Sequence, residues 1–125
     1  MTYKSTIIQF GDEKFKVEIA DTFRKVATGL MNHKSMEKDA GMLFIFKSDG
    51  KHGFWMLNMK FSIDIIWMDK EGSVVYIVNN AQPCESIFNC KTERPPVNAR
   101  YVLELYSGTA KRLGLKLGDK FKLQL

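Results

Sequence analysis

A chain of 125 residues, 45% apolar and 26% charged, has the size and composition of one ordinary globular domain, which excludes a disordered or fibrous protein. No apolar run approaches the roughly 18 residues that span a bilayer, and the first residues lack a secretory apolar region or cleavage site. The chain as it stands, residues 1–125, is therefore expected to be one cytoplasmic domain, or a secreted one if a leader has been removed. Net charge is +5, with its excess in Lys111, Arg112, Lys116, Lys120 and Lys122 against Asp119 alone. Such a run attracts nucleic acid, but no RNA-binding motif accompanies it, and a solvated surface is the expected role.

Residues 6–10 and 14–20 are strand candidates joined at Gly11-Asp12-Glu13. In the second, Phe15, Val17 and Ile19 alternate with Lys14, Lys16 and Glu18, giving one buried and one wet face; a hairpin follows. Asp21 is placed to cap a helix over residues 21–31, with Phe23, Val26, Ala27 and Leu30 on one apolar stripe. Gly29 near its end is explained by close packing or a C-terminal turn. Residues 32–40 read as a polar loop, with His33 solvated.

The central stretch, residues 41–69, holds three short apolar blocks: 42–46, 54–59 and 63–68. Turn formers separate the first two, and each reads as a strand covered on both faces. Residues 69–72 turn the chain into a strand over 74–78. Residues 79–99 carry all three prolines and both cysteines, a loop long enough to be expected at the rim of a site. Residues 100–106 form another strand, with Tyr101, Leu103 and Leu105 on one face and Arg100, Val102 and Glu104 on the other. Ser107 is placed to cap a short helix through Leu113, Gly114 to end it, and residues 120–125 to form a last strand. Strands joined by turns predict a mainly β (α+β) domain, a compact antiparallel barrel or sandwich with two short helices.

Strand alternation isolates the polar residues forced into this core. Asn58 would share a face with Phe54 and Met56, and Asp64 shares one with Ile66 and Met68. The structural reading is favoured: Asn58 stabilises a turn, and Asp64 pairs with Arg100 inside the core. The functional reading is a polar floor to a pocket walled by Trp55 or Trp67, with Asp64 and Glu104 as paired carboxylates for acid–base work. Cys84 and Cys90, with five residues between them, lack the spacing of a zinc or thioredoxin-like site; two free thiols are the first expectation and a disulfide the second. Cys84 could alternatively be a reactive thiol. No metal site or cofactor is expected: no P-loop, G-x-G-x-x-G, G-x-S-x-G or HExxH occurs, and the seven methionines read as core filler.

Several spaced motifs occur together: G-L-M at residues 29–31, G-M-L-F-I-F at 41–46, F-W-M-x-N at 54–58 with Asp64 beyond it, A-R-Y-V-L-E-L at 99–105 and G-L-K-L-G-D at 114–119. In this order they resemble the family catalogued as domain of unknown function 192 (DUF192), over nearly the whole chain from about Lys16. The resemblance implies a compact, mainly β domain of bacteria and archaea with no established activity, so it supplies no catalytic residue. Its matched polar positions are Asn58, Asp64, Arg100 and Glu104, and Cys84 follows a proline as in many relatives. The chain departs from the family at Met59, where threonine is usual, and at Ser62, where proline is usual.

The leading expectation is a non-enzymatic module that binds a small molecule or a protein at the rim formed by residues 79–99, with Trp55, Asn58, Asp64, Cys84, Arg100 and Glu104 as candidate contacts. The alternatives are a small hydrolase or lyase using Asp64 or Glu104, and a nucleic-acid binder using the basic C-terminal segment.

Overall fold

The computed structural model describes residues 2–125. Seven strands form one sheet: β1 (Ser5–Phe10), β2 (Glu13–Ala20), β3 (Ala40–Gly50), β4 (Ile63–Met68), β5 (Val74–Ala81), β6 (Ala99–Tyr106) and β7 (Lys122–Leu123). Two helices accompany them, α1 (Phe23–Thr28) and α2 (Thr109–Leu113), with a single 3-10 turn at Ile87–Asn89. The strand order is β5-β4-β6-β3-β2-β1-β7. The sheet is curled into a half-barrel. Beyond its ladders, Val74 N–H donates to Asp119 O at 2.7 Å and Phe121 N–H to Gly72 O at 3.1 Å, so the C-terminal segment meets the start of β5.

The hairpin β1–β2 turns at Gly11, whose φ of 58° suits a residue without Cβ. The expectation of antiparallel pairing throughout is corrected at one place. β2 and β3 pair in parallel, Val17 opposite Gly41 and Ala20 opposite Phe44. Parallel neighbours require a crossover, here residues 21–39 with α1.

Helix α1 is shorter than its apolar spacing suggests. Gly29 adopts φ 50° and caps it, so Leu30 lies past its end and Phe23 is left 93% exposed. Thr22, not Asp21, is the N-cap; its hydroxyl accepts from Lys25 N–H at 3.2 Å, within reach of the third helical amide. Ser107 does not cap α2 either: Gly108 holds that position at φ 93°, and Ser107 Oγ donates to Asn80 Oδ1 at 2.6 Å.

Residues 54–59 are not a strand. Isolated bridges join Phe54 to Glu93 and Leu57 to Cys84, and Asn58 turns the chain at φ 60°. Met59 N–H then donates to Met56 O at 3.2 Å. Alternation therefore fails here: Met56 is buried while Asn58 is exposed. The last strand likewise shrinks to Lys122–Leu123.

The core has two sides. Ile8, Phe15, Val17, Leu43, Ile66, Met68, Leu103, Leu105 and Phe121 fill the inside of the curl. On the outer face Met42, Phe44, Ile63, Ile65, Trp67 and Val102 are covered by Leu30, Met56 and Met59 from the connecting segments. Each such large side chain contributes roughly 1.5–3 kcal/mol relative to exposure. A Cβ on Gly41 would lie 2.5 Å from Glu104 O and 2.8 Å from Leu105 Cδ2, so β3 approaches β6 there only because residue 41 has no side chain.

Candidate functional site

The two buried carboxylates occupy opposite faces of the sheet. Asp64 is on β4 with Ile66 and Met68, facing inward; Glu104 is on β6, opposite Met42 and Ile65, facing outward. They form no acid–base pair, because neighbouring strands hold them in register positions of opposite parity.

Asp64 does not pair with Arg100. Its Oδ1 accepts from Asn80 N–H and its Oδ2 from Ala110 N–H, both at 2.8 Å. A fully buried carboxylate thereby fixes the end of β5 and the first turn of α2, and two amide donors supply what a cation would have supplied. Arg100 instead pairs through Nε with Asp49 Oδ1 at 2.9 Å, near the end of β3.

Glu104 has no such support. It is 5% exposed, and among the described residues no hydrogen bond or ion pair holds its carboxyl. Burial alone pushes its pKa up to about 8 from an ordinary 4.5. The side chain lines a cavity of about 450 Å³ on the outer face.

Each wall of that cavity has a local cause. Phe44 and Phe46 come from β3. Leu30 and Gly29 follow α1, and a Cβ at residue 29 would touch Phe44 Cζ at 3.4 Å, so the glycine allows the turn to lie flat on the sheet. The opposite wall is residues 51–59, carrying Phe54, Trp55, Leu57 and Met59. Phe54 packs edge-on against Phe44 at 4.8 Å and against Trp67 at 5.9 Å. At the mouth, His52 stacks on Phe46 at 3.7 Å, while its carbonyl accepts from Trp67 Nε1 at 2.8 Å. Arg94 Nη1 donates to Lys51 O at 3.2 Å, which places these two cations together at the rim.

Of the residues singled out from the sequence, only Trp55 and Glu104 line this cavity. Trp55 is 45% exposed, and Trp67 lies fully buried beneath the aromatic layer. Asn58 is an exposed turn residue, and Asp64 and Arg100 lie elsewhere. Cys84 is not a free thiol: it is disulfide-bonded to Cys90, with Cα atoms 5.4 Å apart. Cys84 also braces the wall, since its N–H donates to Met56 O at 3.1 Å and its carbonyl accepts from Asn58 N–H at 2.9 Å. The loop 79–99 thus straps the wall from behind and contributes Arg94 to the lining. Lys51, His52 and Arg94 were missed because nothing in their spacing marks them; contact across the sheet face brings them to Glu104's cavity. Among the described residues no three His, Cys, Asp or Glu side chains converge as metal ligands, and no helix is long and apolar enough to cross a membrane.

Fold and cavity together define a mainly β domain with one buried carboxyl under an aromatic-walled cleft. The chain belongs to the family DUF192, described as an uncharacterized ACR, whose model matches residues 6–123. A crystal structure from Sinorhizobium meliloti, of a protein provisionally described as a transcription regulator, is similar at 29% identity with a TM-score of 0.89, over 98% of this chain and 95% of that one. A protein of unknown function from Novosphingobium aromaticivorans is similar at 29% identity with a TM-score of 0.86, over 95% of this chain and 85% of that one. No curated protein matches the chain.

Proposed function

We propose that the chain is a binding module that takes a small amphipathic molecule into the cavity above Glu104. One observation carries this reading: a carboxyl about nineteen-twentieths buried, with no partner among the described residues, faces an aromatic-walled cavity large enough for a small ligand. An unpaired buried polar group costs stability. A ligand that hydrogen-bonds it would remove that cost, and pockets with an apolar lining and few polar groups are the usual form of small-molecule sites. The test is a small-molecule screen read by tryptophan fluorescence, since Trp55 forms part of the wall. Hits should lose affinity in Glu104→Leu; a screen without hits overturns the reading.

The nucleic-acid reading draws support from the description of the Sinorhizobium meliloti neighbour and from four exposed lysines, Lys111, Lys116, Lys120 and Lys122. Arg112 counts against it, because its guanidinium is already paired with both oxygens of Glu13. Absence of binding to duplex or single-stranded DNA or RNA at low ionic strength, where phosphate contacts are strongest, would end it.

A further inference from the structure

Three ionisable groups line the cavity without an ion-pair partner among the described residues. Glu104 sits at the floor, and Lys51 and Arg94 sit at the mouth; the four ion pairs present are His33–Glu18, Lys91–Glu93, Arg100–Asp49 and Arg112–Glu13. Between floor and mouth stand the apolar side chains of Leu30, Phe44, Phe54, Trp55 and Met59. An acidic group at one end of a cleft and two cations at the other are complementary to a ligand with the reverse polarity.

The strand register bounds the ligand's length. Lys51 follows Gly50, which pairs with Ala99 on β6, and Glu104 lies five residues further along the same strand. At strand rise this separates the two ends by roughly 16 Å of backbone. An extended ligand of about eight carbons is shorter than that separation and leaves room for the side chains at either end.

Resting on the binding-module reading, we propose that the ligand is an extended zwitterion, with an ammonium at Glu104, an apolar body between the aromatic walls and an acidic group at Lys51 and Arg94. The cleft is a selector for ω-amino acids or similarly spaced amino-acid derivatives rather than for plain fatty acids or amines. Glu104 must be ionised to hold the ammonium. Its pKa of about 8 when the cleft is empty means that it gives up a proton on binding at pH 7. The strands beside it present Met42, Phe44 and Ile65, which do not titrate, and the lining from residues 26–31 is likewise without charge. Lys51, His52 and Arg94 at the mouth are the other ionisable groups facing the cleft.

The experiment is calorimetry of the whole chain with three probes: ω-aminooctanoic acid, octanoic acid and octylamine. The zwitterion is expected to bind at least ten-fold more tightly than either single-headed probe, with close to one proton released at pH 7, as read from buffers of different ionisation enthalpy. Glu104→Gln should abolish both the proton release and the advantage over octanoic acid. The double variant Lys51→Ala/Arg94→Ala should abolish the advantage over octylamine, and it touches only exposed residues, so its folding is not at issue. Equal or tighter binding of octanoic acid or octylamine overturns the zwitterion, as does zwitterion binding without proton release. If no probe binds while unrelated molecules from the screen do, the cavity reading stands and the zwitterion falls. If nothing binds at all, both fall.

Discussion

Asp64 Oδ2 accepts the Ala110 amide at 2.8 Å, tying the start of β4 to a helix 46 residues away. Its other oxygen holds Asn80, a non-glycine residue at φ 52°. The carboxylate therefore organises two chain reversals at once, with backbone donors in place of a cation.

Asp64→Asn should be strongly destabilising. The asparagine keeps one acceptor oxygen and turns an N–H₂ toward the second backbone donor. Hydrogen bonds to charged groups contribute about 1.5–3 kcal/mol, so a loss of roughly 2–4 kcal/mol is expected in urea unfolding. Arg100→Met should cost no more than about 1 kcal/mol, because the Arg100 and Asp49 side chains are 29% and 43% exposed. The double variant should show the sum of the two effects. Strong coupling between positions 64 and 100 would contradict the arrangement.

Glu104 should make stability fall as pH rises. Its folded pKa of about 8 lies above the ordinary 4.5, so between these values the folded chain holds a proton that the unfolded chain releases. The neutral form's advantage is complete below 4.5 and is lost as pH climbs through 8, by up to about 1.4 kcal/mol per pH unit. Glu104→Gln should flatten that slope and be more stable than the parent at pH 8. Urea melts at pH 5, 6.5 and 8 (roughly spanning the window) are the measurement; parallel curves for the two proteins would be inconsistent with a buried, unpartnered carboxyl.

Gly41→Ala should destabilise the sheet centre. The added methyl would sit 2.5 Å from a backbone carbonyl in β6, and backbone in a paired strand cannot move aside cheaply. Overpacking of this kind costs about 1–3 kcal/mol. By contrast Gly11→Asn, at an open hairpin turn with φ 58°, should change stability by less than about 0.5 kcal/mol. Thermal melts of the two variants give the comparison.

Removing the disulfide should loosen one cavity wall before it unfolds the sheet. The bridge spans six positions and sits on the strand-like contact that holds Met56 and Asn58. Cys84→Ser/Cys90→Ser is expected to cost about 2 kcal/mol, at the low end for a short loop. Amide exchange should quicken at Phe54, Asn58 and Met59 while Ile65 and Leu103 stay protected. Uniform acceleration across the sheet would show that the bridge acts globally.

The strands were legible wherever one period governed a whole segment. Phe15 and Val17 in β2, and Tyr101, Leu103 and Leu105 in β6, alternate because one face of each strand is packed and the other meets different neighbours. Glu104 was placed by the same alternation, on the face of β6 that carries Arg100 and Val102. The mainly β class and the family were both readable, the first from apolar runs cut by turns, the second from ordered motifs. Alternation misled at residues 54–59, where an apolar run is buried by long-range straps rather than by ladder pairing: Phe54 bonds Glu93, and Met56 bonds Cys84.

Partners across the fold were decided only by the tertiary structure. The sequence by itself determined that Asp64 is buried, because apolar neighbours in its strand leave its side chain no route to water, and it offered Glu104 as a second carboxyl on a strand face shared with Arg100 and Val102. It could not determine that the amides of Asn80 and Ala110 satisfy one of them while the other meets only an open cavity. That difference depends on which face each strand turns outward and on which loop crosses it, and both are set by the pairing of strands distant in the chain.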